Sequence, residues 1–423
     1  MRDPRTLALS LMPRLDGTHV RTVRVFAIVV AGALLQIVAQ TVLARSLPKA
    51  DVGLVSLVLG AVPLLATLGA LGQDSAIVRF AASDRAGRHD LRGYVRRVLL
   101  LITPVGLVVG LAANGFYDIA GAAALALLAL VVAQNGVTIA SSALRGAHRY
   151  EVAMAAAWAP AALAAAVLVV LAAVGSLTLH SALGAYVAAY ALSAAAILAW
   201  KPLRAAKGAL PVPGSVLRQG FFFFGLSLSF SVMVAMDRLV IGKLMTYTDV
   251  AVYATVFMVM KGFDFLFQAV SFVMMPWVSR VGSVRVARYN AAVVALAVPV
   301  AVVYLVLGDD IVHLLYGGRY DQGAFLIAPF VLSGVIKLFY AVPSSLIGGR
   351  LPREALRDFL WFSVAAIGFN VVIEVVLIRS MGLMGAAVGT AMAWGVRYVG
   401  AVAIVRRHRA SLDRPKDREP VDV

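Results

Sequence analysis

Three residues that carry charge stand deep inside long apolar stretches of this chain: Lys261, Asp264 and Lys337. A charge at the centre of a bilayer costs roughly 3 kcal/mol on insertion scales, so such a group faces a cavity or a partner rather than lipid. Lys261 and Asp264 are three residues apart, a spacing that puts both on one face of a helix and predicts an ion pair. Gln268, four residues further on, extends that face into a polar stripe. Asp264 is the best-placed carboxylate to bind a coupling ion, a proton or sodium. Lys337 has no acid near it in sequence, which makes it a candidate anion ligand.

Arg24, Arg79 and Arg397 form a second tier. Arg24 and Arg79 fall near the ends of apolar stretches, where they either guard the mouth of a cavity or simply snorkel to the interface. Arg397 lies roughly 12 Å from the end of its stretch at 1.5 Å per residue, within partial reach of the surface. Other polar residues have plainer readings. Asp237 and Arg238 read as an interfacial anchor at the outer end of a helix, Glu374 as a partner of Arg379, and Asp74 as a neutraliser of Arg79. Gln36, Gln40, Gln134, Asn135 and Asn370 are candidates for substrate contacts or interhelical hydrogen bonds.

Several chemistries are absent. There is no cysteine, so disulfides, thiolate metal sites and cysteine nucleophiles are excluded. The 6 histidines are scattered, none at zinc-ligand spacing, and no catalytic cluster of acids and bases assembles near one membrane face. The expectation is a protein that is not an enzyme and uses no metal and no cofactor.

The elements that must position these residues are membrane spans. Of the 423 residues 61% are hydrophobic and only 14% charged, and mean hydropathy is +0.90. A soluble domain would carry about 25% charged residues. A spanning helix needs about 20 predominantly apolar residues, and twelve segments qualify: 22–43, 52–73, 95–115, 119–141, 152–174, 182–200, 221–241, 250–275, 289–308, 324–345, 358–378 and 384–405. These are spans 1 to 12. The fold class is therefore an all-α integral membrane protein. The net charge of +17 is distributed in the loops rather than on one face, which argues against a nucleic-acid partner. Of the 38 lysines and arginines, 29 fall on the side of the termini, 6 on the other and 3 inside spans. Positive charge stays on the cytoplasmic side, so both termini are expected there.

A proline-rich, basic stretch from 201 to 220 divides the chain into a lobe at 1–200, a linker and a lobe at 221–405, followed by a basic tail at 406–423. Asp51-Val52 and Asp249-Val250 recur 198 residues apart, and Pro104-Val105 and Pro299-Val300 recur 195 apart. Two six-span copies share one orientation, because six is even, and a parallel pseudo-two-fold repeat follows. Transporters built this way bind substrate between their lobes. A receptor or channel remains open as an alternative, although no filter sequence or extramembrane domain is evident.

Particular motifs add a resemblance. Ala44-Arg45-Ser46-Leu47 leads to Asp51-Val52-Gly53, then Leu71-Gly72 and Ala76-Ile77-Val78-Arg79-Phe80. Met236-Asp237-Arg238-Leu239-Val240-Ile241-Gly242 precedes Val252-Tyr253-Ala254. Met275-Pro276-Trp277-Val278-Ser279-Arg280 and Leu315-Tyr316-Gly317-Gly318-Arg319-Tyr320 follow in order. Together these stretches resemble the O-antigen-type polysaccharide flippases of the multidrug/oligosaccharidyl-lipid/polysaccharide exporter superfamily, over spans 1–2 and 7–10. The resemblance implies a flippase moving a polyprenyl-pyrophosphate-linked oligosaccharide across the bacterial cytoplasmic membrane by alternating access. It also implies membrane lipids and a polysaccharide polymerase as partners. A cation-coupled multidrug antiporter and a lipid-linked peptidoglycan precursor flippase are the alternatives within the superfamily. Mid-span lysines suit an anionic head group, whereas a pump for cationic drugs should expose acids.

Overall fold

A computed structural model describes residues 17–83, 89–199, 210–278, 286–349 and 351–409. The first part of the expected linker (201–209), most of the basic tail (410–423) and Ser279-Arg280 of the third motif lie outside the described residues.

All twelve spans form as helices. Span 1 is Gly17–Ser46, span 3 Leu91–Phe116, span 4 Gly121–Gly146, span 5 Tyr150–Ala173 and span 6 Leu179–Ala199. Span 7 is Ser215–Leu244, span 9 Val286–Tyr316, span 10 Ile327–Gly349, span 11 Arg353–Met381 and span 12 Leu383–Arg407. The other two are broken. Span 2 is Lys49–Ala70 followed by Gln73–Ser83, and span 8 is Tyr247–Met260 followed by Gly262–Val278. Among the described residues the β-structure is a single bridge between His89 and Leu210.

Helix neighbours reveal the repeat. Span 1 packs on span 5 as span 7 packs on span 11. Span 4 is held between spans 3 and 6, and span 10 in the same way between spans 9 and 12. The lobes meet along spans 2, 7 and 8. Gly53 is what lets spans 2 and 8 approach at their starts, since a β-carbon there would overlap the carbonyl of Tyr247.

The breaks differ in depth. Span 2 turns at Leu71 and Gly72, both left-handed at φ 51° and 74°, after a full 22-residue helix. Span 8 bends by 49° at Lys261 after only 14 residues, deep in the membrane. The hydroxyl of Tyr304 in span 9 donates to the Val259 carbonyl at 2.9 Å beside this break, so the bend does not strand that acceptor in a dry site.

At the face opposite the termini the lobes are clasped. The last carbonyls of a helix have no partner within it and attract cations. Arg45, at the end of span 1, donates to the carbonyls of Leu314 and Leu315 at 2.5 and 2.7 Å, at the end of span 9. Arg319 donates back to Ala44, Arg45 and Leu47 at 2.7–2.8 Å. Lys243, at the end of span 7, donates to the Phe116 carbonyl at the end of span 3, 2.6 Å away. Arg45 and Lys243 are 198 residues apart, and so are Phe116 and Leu314. One contact is made twice, exchanged between lobes.

Candidate functional site

Between the lobes lies a cavity of about 540 Å3, walled by residues of spans 1, 2, 5, 6, 7, 8 and 10. Its charged lining is Arg238, Lys261, Lys337 and Asp264, three cations against one carboxylate. Gln36, Gln40 and Gln268 supply amides, and Trp158, Tyr186, Tyr190, Phe230 and Phe265 supply aromatic faces.

The break in span 8 fixes the pairing. Lys261 ends one helix and Asp264 begins the next, so the continuous helix that would bring them together does not exist. Instead the Lys261 ammonium crosses to the other lobe and donates to the Gln36 amide oxygen at 3.0 Å. Asp264 pairs with Lys337 of span 10 at 2.5 Å, and the Lys337 ammonium also sits 4.6 Å from the centre of the Trp394 ring. The expected Lys261–Asp264 pair is thus replaced by Lys337–Asp264, and Lys337 does have an acid, one that sequence distance conceals.

Arg238 is not an interfacial anchor. Span 7 runs on to Leu244, which puts Arg238 more than a turn inside the helix end. Its guanidinium lies over the Phe257 ring at 5.5 Å and against Gly60 of span 2, whose missing side chain leaves the space. The second-tier arginines stand elsewhere. Arg24 is exposed and reaches Glu151 at 3.7 Å, while Arg79 is exposed and stacks 5.1 Å from the centre of the Phe223 ring. Arg397 is buried inside the second lobe, donating to Tyr340 at 3.0 Å and Ser229 at 2.8 Å. None of these three lines the cavity.

A second polar cluster lies behind the cavity, and sequence reasoning missed it. Asp237 is 3% exposed and accepts from the hydroxyls of Tyr253 at 2.6 Å and Thr390 at 2.9 Å. Glu374 is fully buried beside it, with no well-formed hydrogen bond to its oxygens among the described residues, and it does not pair with Arg379. One Asp237 oxygen and the amide of Asn370, one turn before Glu374, are also without partners there. Two bare carboxylates in one dry pocket are costly unless a proton or a small cation neutralises one of them. A void of about 20 Å3, walled in part by Asp237, Thr390, Asp264, Lys337 and Trp394, lies between this pocket and the cavity. That is room for one water. The sequence signal was a carboxylate in each of spans 7 and 11 with a threonine in span 12.

The profile of a family described as "Polysaccharide biosynthesis protein" matches residues 22–282. A "Probable low-salt glycan biosynthesis flippase" from Haloferax volcanii is 25% identical over 173 residues, 39% of this chain and 36% of that protein. The matched stretch is therefore well under half of that relative. Among solved structures, a multidrug resistance MATE family transporter of the MOP superfamily, in an inward-facing conformation, superposes with a TM-score of 0.66 at 14% identity. That comparison covers 92% of this chain and 98% of the other. The lipid II flippase MurJ, inward closed, gives 0.66 at 12% identity, covering 90% and 87%. At these identities the likeness is one of fold: the two-lobe architecture of MOP superfamily transporters.

Proposed function

Because the chain belongs to the polysaccharide biosynthesis protein family, we propose that it flips a polyprenyl-pyrophosphate-linked oligosaccharide from the cytoplasmic to the outer leaflet of the cytoplasmic membrane. The observation that carries this reading is the excess of cations over acids in the cavity wall. Pyrophosphate bears several negative charges, and basic groups in a low-dielectric site attract it strongly. Arg238, Lys261 and Lys337 are the phosphate ligands in this reading, and the aromatic and amide walls receive the sugars. A pump for cationic drugs would meet repulsion from the same wall.

Orientation follows the basic bias, with both termini cytoplasmic. The clasps of Arg45, Arg319 and Lys243 then close the outer side, and each must break for release. Two carboxyl sites qualify for ion coupling. Asp264 is balanced by Lys337, whereas Asp237 and Glu374 form no salt bridge among the described residues, and Asp237 borders the small void that Asp264 and Lys337 also wall. The driving ion is therefore assigned to the Asp237–Glu374 pocket, and Asp264 acts as the counter-ion that substrate displaces from Lys337. Arg24, Arg79 and Arg397 serve the frame and the membrane surface in this reading, not the substrate.

Gene deletion separates flippase from efflux pump. The expected phenotype is loss of surface glycan with lipid-linked repeat units trapped in the cytoplasmic leaflet, poorly rescued by Lys337→Ala. Normal surface glycan with new sensitivity to cationic dyes would overturn the assignment.

A further inference from the structure

A cavity larger than the central one lies on the lipid-facing side of the first lobe. It is a lateral groove of about 970 Å3, walled by Asp90, Arg92, Arg96, Leu100 and Pro104 of span 3 and its cap and by Leu198 of span 6, among others. Its origin is topological: spans 3 and 6 both pack on span 4, and the space between them opens to the bilayer.

The groove is amphipathic along its length. Arg92 and Arg96 sit one helical turn apart near its terminal-face end, and both are exposed. Asp90, in the same wall, has its carboxylate occupied in accepting the Gly93 N–H at 2.8 Å. From Arg92 to Pro104 span 3 rises roughly 18 Å, and beyond the arginines the wall is Leu99, Leu100, Thr103, Pro104 and Leu198. Leu100 is 69% exposed, open to whatever fills the groove. Pro104 has no N–H, so the carbonyl of Leu100 lacks its helical donor and adds a polar acceptor to the wall. At the positions 195 residues on, before Pro299, stand Ala287 and Ala291 instead of two arginines.

We propose that this groove is a binding site for one anionic phospholipid of the terminal-face leaflet, with its phosphate between Arg92 and Arg96 and an acyl chain along Leu100, Pro104 and Leu198. Placing that leaflet on the cytoplasmic side rests on the orientation proposed above; the binding itself does not. Charge complementarity selects the ligand: two guanidiniums one turn apart, with no ion pair to either among the described residues, match a phosphate diester with a negative headgroup, and the apolar run beneath them matches a chain rather than a free phosphate.

The test uses the full chain in phosphatidylcholine nanodiscs doped with phosphatidylglycerol, with tightly bound phosphatidylglycerol counted by native mass spectrometry. Arg92→Ala/Arg96→Ala should weaken one bound lipid roughly tenfold or more, each arginine near an anionic surface contributing about a factor of five. Arg406→Ala/Arg409→Ala, which removes the same charge from two exposed positions on the same face, should leave that lipid in place. Leu100→Trp, which fills the groove and alters no charge, should also displace it. Equal losses in the two arginine pairs would reduce the effect to general surface attraction and overturn the site. Displacement of phosphatidylglycerol by equimolar polyprenyl phosphate would overturn it too, by making the groove a seat for the carrier lipid. Neither result depends on whether the protein transports glycan.

Discussion

The two lobes share one helix plan and bury different chemistry in it. Among the described residues the buried polar side chains of the first lobe are neutral: Gln40, Ser56, Gln73, Asn114, Asn135, Ser142 and Ser193. The second lobe buries Asp237, Lys337, Glu374 and Arg397 among the described residues. Matched positions make the contrast local. Asp237 corresponds to Ala39 and Asp264 to Ala66, each 198 residues earlier, and both alanines are buried. The broken spans diverge similarly, since among the described residues only span 8 breaks partway along its apolar run and lines the cavity with charge on both sides of its break. A duplicated frame can thus keep one copy as scaffold while the other takes on charge, provided each new charge finds a partner across helices.

That asymmetry can be broken most severely at the Lys337–Asp264 pair. Removing one partner of a buried ion pair costs about 3–5 kcal/mol, while removing both together costs much less. Lys337→Met and Asp264→Ala should each lower thermal stability in detergent by that order, and Lys337→Met/Asp264→Asn should recover most of it while leaving transport dead. A double variant no more stable than either single one would show that the pair is not coupled. Adding charge to the scaffold lobe is the reciprocal experiment. Ala39→Asp has no partner waiting and should destabilise by about 2–3 kcal/mol or fail to express, whereas Asp237→Ala should fold and lose only its ion dependence.

The clasps offer a smaller, graded effect. Arg45 and Arg319 exchange five hydrogen bonds, against one carbonyl and one carboxylate contact for Lys243. Arg45 and Lys243 are exposed and Arg319 is half-buried, so Arg319→Ala should shift the equilibrium toward opening at that face by about 1–2 kcal/mol, and Lys243→Ala by less. The chain has no cysteine, so Gln40→Cys in the cavity wall reports opening through labelling by a membrane-impermeant thiol reagent. Unchanged labelling in both variants would remove the clasps from the gating mechanism. Smallest in stability terms is Gly60→Leu. It should push Arg238 off span 2 and weaken pyrophosphate-glycan binding severalfold with the melting temperature nearly intact. Unaltered affinity would take Arg238 out of the binding wall.

Span number and the repeat were legible in the sequence because they depend on the length and spacing of apolar runs, which lipid dictates directly. Lys261, Asp264 and Lys337 were legible as cavity residues because hydrocarbon tolerates no idle charge. Their partners were not. The i to i+3 rule that pairs Lys261 with Asp264 assumes an unbroken helix, and Lys261-Gly262 is where the helix stops. Asp237 was assigned to the membrane surface and Glu374 to Arg379 because their spans' ends and packing were unknown. Span 7 extends to Leu244 rather than 241, and only its packing with spans 8, 11 and 12 brings Tyr253, Thr390 and Glu374 around Asp237.

The most direct test of the cationic cavity is translocation in proteoliposomes. A fluorescent polyprenyl-pyrophosphate glycan is loaded in both leaflets, and its exposure is followed with a membrane-impermeant quencher beside a neutral polyprenyl glycoside carrying the same sugars. The protein should flip the pyrophosphate compound and barely move the neutral one, and Lys261→Ala/Lys337→Met should abolish that preference. Equal flipping of both compounds, or a double variant that keeps the preference, would contradict an anion-selective site between the lobes.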